Sequence, residues 1–204
     1  KEPGKYYTAD KWTDPFELMY VEELKGKCEK NVAAILSQSA VESVYSGGAL
    51  VSEEKSKDVI EGVKGKGDDF MIGNLSKNKL PRNLQEQIIQ LAEELRQYHN
   101  LIGDVSIEWV FDGKDLWIVQ LNQIEEVGNS STIVEGKANS YRKFFVEEGL
   151  EKLRDLIEEI KDKNIGIELI GDVGICSHFG DVIRQAKIPS FINKTINETV
   201  NNFV

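Results

Sequence analysis

The chain has 204 residues, enough for one large domain or two small ones with a substantial buried core. Its 40% hydrophobic and 29% charged residues are those of an ordinary globular protein. A formal net charge of −10 argues against nucleic acid as a main partner, since phosphate backbones call for clustered Lys and Arg. The two cysteines, Cys28 and Cys176, form no CxxC pair and read as free thiols of a reducing compartment. No apolar run is long enough to span a bilayer and no signal peptide is visible, so a cytoplasmic protein without membrane partners is expected. The Asn-x-Ser/Thr triplets, at Asn74 and Asn193 among others, then read as chance in an Asn-rich chain.

Residues 1–30 are polar with scattered aromatics, and "PFELMYVEEL" within them is compatible with a strand. "NVAAILSQSA" (31–40) is an apolar run of strand length, and "GGALVSEE" (47–54) follows what reads as a Gly-Gly turn. "DVIEGVKGKGDDFMIG" (58–73) reads as two short strands around a glycine-rich hairpin. Its glycines Gly62, Gly65 and Gly67 make no dinucleotide fingerprint, because no helix is expected after them. Residues 81–100 carry the clearest helix: Pro81 suits a first turn, and Leu84, Ile88, Leu91 and Leu95 share one face. His99 then falls near the helix C-terminus, where the dipole favours it.

"DVSIEWVFDGKDLWIVQLNQI" (104–124) predicts a β-hairpin turning at Asp112-Gly113. Ser106, Glu108 and Val110 alternate with Ile107 and Trp109, and the hairpin would set Glu108 beside Gln120 on the next strand. A carboxylate and an amide together on one sheet face can hold Mg²⁺ and a phosphate oxygen. The same pattern also fits a solvated face.

Residues 127–140 are small and polar and predict a linker between two units, 1–126 and 141–204. "YRKFFVEEGLEKLRDLIEEIKDKN" (141–164) reads as a second amphipathic helix with Leu150, Leu153, Ile157 and Ile160 on one side. A strand at 165–170, a helix near 179–187 and a strand "PSFIN" follow. Helices alternate with strands here, so the fold class expected is α+β with an α/β second half.

Within that half, "GDVGICSHFGDVIRQAKIPSFI" (171–192) sets His178 where a strand hands over to a helix N-terminus. Unpaired N–H groups there would stabilise an anion on the imidazole, with Ser177 adding a hydroxyl and Arg184 a cation. A satisfied structural histidine fits the same position. Spacing offers His178 no set of metal ligands, and no nucleophile elbow marks a serine hydrolase.

"CSHFGDVIRQAKIPSFI" resembles the phosphohistidine signature of the phosphoenolpyruvate synthase and pyruvate phosphate dikinase family, roughly SHxxxxARxxxIPxV. Ser177, His178, Arg184, Ile188 and Pro189 fall in register. "SIEWVFDGKDLWIVQLNQ" resembles the end of that family's ATP-grasp domain, DIEW…DG…L…LQxR, through Glu108, Trp109, Asp112, Gly113, Leu116 and Gln120. Two departures stand out: Ser106 replaces the family's Asp, and Asn122 its Arg. Within these 204 residues nothing resembles the N-terminal half of an ATP-grasp domain or a pyruvate-binding barrel. The resemblance implies the C-terminal part of an ATP-grasp domain over 1–126 and a phosphohistidine swivelling domain over 141–204. It implies ATP and Mg²⁺ as cofactors, Glu108 and Gln120 as metal ligands, and Gln120, Asn122 and Ser177 as nucleotide contacts. His178 and Arg184 would be catalytic in an ATP-dependent phosphotransferase that passes a phosphoryl group through His178 to a small acceptor, pyruvate among the candidates. The alternative is a catalytically degenerate nucleotide-binding or regulatory module of the same fold. Expected macromolecular partners are further domains of a longer chain or a second copy.

Overall fold

The structure, a computed structural model, describes residues 39–125, 127–128 and 131–194. The strand expectation over 15–24 lies outside the described residues, as do Cys28 and most of the apolar run at 31–40. The fold is mixed α and β, built on two four-stranded sheets.

The first sheet is antiparallel, in the order β2-β1-β3-β4, with β1 Tyr45–Val51, β2 Val59–Lys64, β3 Asp104–Phe111 and β4 Leu116–Ile124. Side chains alternate across a strand, so one face carries Ala49, Val51, Val105, Ile107, Trp109 and Phe111. That face packs on Leu84, Ile88 and Ala92 of helix α2 (Arg82–Arg96), preceded by the short α1 (Asp68–Met71). The hairpin expected over 104–124 is present. Asp112 Oδ1 accepts the backbone N–H groups of Lys114 and Asp115, and Oδ2 accepts the Trp117 indole N–H.

Three local expectations are corrected here. Gly47 and Gly48 lie inside β1 rather than in a turn, because both are needed for close approach of other backbone: a Cβ on Gly47 would meet Glu61 O at 2.1 Å. After Gly65, at φ +85°, the chain forms α1 instead of a second strand, and Phe70 and Met71 are buried there. His99 does not end α2. It opens the short α3 (His99–Ile102), and its Nε2 lies 2.9 Å from Asp104 Oδ1.

The second sheet has the order β5-β8-β7-β6, with β5 Thr132–Val134, β6 Ser140–Phe145, β7 Ile165–Ile170 and β8 Ser190–Asn193. Strands β6, β7 and β8 run parallel, linked by α4 (Leu150–Ile160) and α5 (His178–Ala186), and β5 adds antiparallel to β8. Residues 141–145, expected as helix, are strand, because their backbone pairs with β7 and Gly149, at φ +86°, delays the helix start. The apolar stripe expected for the following helix is kept by Leu153, Ile157 and Ile160. Within 127–140, read from its composition as a linker, Val127 and Ile133 are fully buried and Thr132–Val134 is β5.

The two sheets share a core. Leu50 of β1 belongs to the cluster formed by Ile167, Leu169, Val173, Ile175, Phe179 and Ile183. Glu61 of β2, itself buried, accepts the Cys176 backbone N–H at 3.0 Å. Gly48 permits this approach: a Cβ there would stand 2.7 Å from the Cβ of Cys176. Among the described residues, no helix is long and apolar enough to cross a membrane.

Candidate functional site

The face of the first sheet turned toward the second half is polar. Glu108 is paired with Gln120 on β4, and Ser106 with Asn122 two residues on. On the other side of β3, Glu108 stands opposite Gly48. The β3–β4 ladder shifts register between Glu108 and Trp109, so Val119 is the extra residue of a bulge beside the pair. Bulges re-aim side chains and recur next to functional sites. Glu108, Gln120 and Asn122 are half-buried, while Ser106 is buried.

Helix α5 brings the opposing groups. Ser177 is its N-cap residue and His178 its first helical residue, one position earlier than the sequence suggests. The helix ends at Lys187, which takes a left-handed conformation, and Pro189 prevents its continuation. His178 is not presented outward, as a carrier would be: its side chain is only 18% exposed. Nδ1 lies 3.8 Å from Asp181 Oδ2, too far for a hydrogen bond, and is buried with no hydrogen-bond partner among the described residues. The Ser177 hydroxyl is likewise buried and unpartnered among them.

Asp181 is the residue that sequence reasoning missed. Three positions after His178, it lies on the same helix face, which was the available signal. Its Oδ1 accepts Arg184 Nη2 at 2.7 Å and, weakly, the Ser106 hydroxyl at 3.5 Å. Arg184 also donates through Nη1 to Ile175 O at 3.0 Å and is buried. It therefore braces the loop before α5 and holds Asp181.

Ligand atoms of Glu108, His178 and Asp181 lie within 4.8 Å of one another, so the two halves meet at this cluster. Of the residues singled out by sequence, the structure thus assembles Glu108, Gln120 and His178, with Ser177 and Arg184 behind them. Asn122 faces the position of Ser106. Cys176 takes no part as a thiolate. Burial, and after it the Glu61 carboxylate, pushes its thiol well above the usual range.

Oxygen donors at Glu108 and Gln120 fit Mg²⁺. A triphosphate would also require cations, and both Nη groups of Arg184 are engaged within the protein. Comparison with known protein families and with curated proteins finds no match to this chain.

Proposed function

We infer that the chain is a phosphotransferase module of dikinase type. In this reading its first sheet corresponds to the C-terminal part of an ATP-grasp domain, and its second half to a phosphohistidine swivelling domain. The observation that carries the reading is the meeting of His178 with Glu108, beside Gln120. A carrier imidazole must reach the metal-bearing face to be charged. Nε2, with its lone pair, attacks an ATP phosphorus. A P–N bond forms, the P–O bond to the leaving nucleotide breaks, and its electrons stay on the departing oxygen. Asp181, whose Oδ2 lies 3.8 Å from Nδ1, stands close enough to balance the positive charge that the ring gains. Arg184 positions Asp181. The phosphoryl group passes on to a small acceptor once the second half moves away.

A second reading is favoured by one contact. The hydrogen bond from Ser106 to Asp181 stands where the family's Asp would set two carboxylates against each other. It holds the halves together and fits a degenerate module that binds or regulates without turnover. Mass spectrometry of the whole chain after Mg·ATP, with and without a complete ATP-grasp partner, separates the two. One acid-labile, base-stable phosphoryl group on His178 supports the transferase. No label under either condition rules it out in favour of the degenerate reading.

A further inference from the structure

Sequence spacing gives His178 no metal ligands, but the fold brings them from elsewhere: Glu108 arrives on β3 and Asp181 lies one helical turn on. We propose that Glu108, His178 and Asp181 bind a first-row transition cation of the Zn²⁺ type, which clamps the first sheet to α5. The inference goes beyond the phosphotransferase reading and needs neither nucleotide nor turnover.

Three observations carry it. The three side chains offer one imidazole and two carboxylates with ligand atoms within 4.8 Å. Three donors with a fourth position left to water is a common arrangement for a zinc ion. His178 Nδ1 is buried and has no hydrogen-bond partner among the described residues, a state that otherwise costs stability. Its 3.8 Å separation from Asp181 Oδ2 is long for a hydrogen bond. Two donors each about 2.1 Å from one ion at a tetrahedral angle stand about 3.4 Å apart, so a small contraction brings the His178–Asp181 pair to ligand spacing, and the Glu108 carboxylate closes on it from within 4.8 Å.

The charge arrangement is consistent. Asp181 spends Oδ1 on Arg184 and Ser106, which leaves Oδ2 as a single donor toward the imidazole. Arg184 and Ser106 thereby act as the outer partners that fix a ligating carboxylate. The nitrogen donor selects against Mg²⁺ and Ca²⁺, which prefer oxygen throughout. A cation on Nδ1 would also withdraw electron density from Nε2 and hold α5 against β3. In the phosphotransferase reading, that makes the ion an inhibitor of carrier charging.

The test is titration of the full chain, carrying Cys28→Ser to remove the one thiol outside the described residues, with Zn²⁺ by calorimetry and with Co²⁺ by visible absorption. One ion per chain is expected, with a Co²⁺ spectrum of nitrogen and oxygen ligation that lacks thiolate charge transfer. Glu108→Gln and His178→Asn should each weaken binding at least about tenfold, since loss of an outer partner alone costs about 10–100-fold. His99→Gln, at the other histidine, should leave it unchanged. Should the variants misfold, ¹⁵N spectra of the unmutated His178 decide: Zn²⁺ must shift its Nδ1 and spare His99. No Zn²⁺ uptake, uptake indifferent to both substitutions, or an unshifted Nδ1 overturns the site. Because no ATP is present, its failure leaves the phosphotransferase reading standing, and phosphoryl labelling decides that reading separately.

Discussion

Replacing Gly48 by alanine tests how closely the two halves pack. The new methyl carbon would lie 2.7 Å from the Cβ of Cys176 and 3.2 Å from its carbonyl oxygen. Carbon pairs settle at about 3.5–4.0 Å, so the loop before α5 or the sheet itself must give by about 1 Å. The loop resists, because Ile175, Cys176 and Ser177 are buried and the Cys176 N–H is held by Glu61. Overpacking of this kind costs about 1–3 kcal/mol. Gly48 lies in a strand at an ordinary φ, so the alanine returns about 0.5–1 kcal/mol of backbone entropy. The net expectation is a loss of up to about 2.5 kcal/mol in urea unfolding at constant m, and a fall in melting temperature of up to about 10 °C at the 2–4 °C per kcal/mol usual for this size. Cys176→Gly in the same chain removes the opposing Cβ and should recover part of the loss relative to Cys176→Gly alone. A Gly48→Ala protein more stable than the parent, with the same effect in the Cys176→Gly background, would refute the close approach, and with it the meeting of Glu108 and His178.

Three further outcomes follow from the same contacts. In a Cys28→Ser background, Cys176 should resist alkylating reagents at pH 8 until the protein is unfolded, because burial holds its thiol protonated; prompt labelling of the native protein contradicts this. The Asp112 carboxyl is held below its usual value by the backbone N–H of Asp115, then by the Trp117 indole and the Lys114 N–H. It contributes stability above its unfolded pKa of about 3.9, and that contribution is lost as pH falls through the lower folded value. Asp112→Asn should flatten the acid limb of the stability curve in that window while lowering the plateau near neutrality, as chemical denaturation at a series of pH values would show. Ser106→Asp sets a buried carboxylate against Asp181, and should cost about 3–5 kcal/mol at pH 7. The penalty should shrink as pH drops toward protonation of one of the two acids; a neutral substitution at pH 7 would show that the halves are apart in solution.

The elements legible in the sequence are those whose causes are local. Asp112-Gly113 and the alternation around it give the hairpin, and the hairpin alone pairs Glu108 with Gln120. The stripe through Leu153, Ile157 and Ile160 gives α4 from its spacing. Where the cause is distant, the reading went astray. Gly47-Gly48 looks like a turn because glycine is locally permissive, whereas its use here is to admit Glu61 and Cys176. Tyr141–Phe145 has no strand signal strong enough to outweigh the helix that follows, and its pairing with β7 joins Tyr141 to Gly166. Nothing local marks Asp181, because its partner Ser106 lies 75 positions away.

Glu61 has a bearing on the order of assembly. Its carboxylate reaches across 115 positions of sequence to the Cys176 N–H, and a half-exposed Lys77 is its other partner, at 3.0 Å. The β1–β2 pairing and the hairpin are close in sequence and can form while this group still keeps its water. Stripping that water is offset by Lys77 and, once the halves join, by the Cys176 amide, so the joining of the halves is expected to follow the local pairings. By the same reasoning the path reverses at the same place. Under mild denaturant, amide exchange should first rise at Cys176, with both sheets still protected, because that is where a buried charge regains the most by opening.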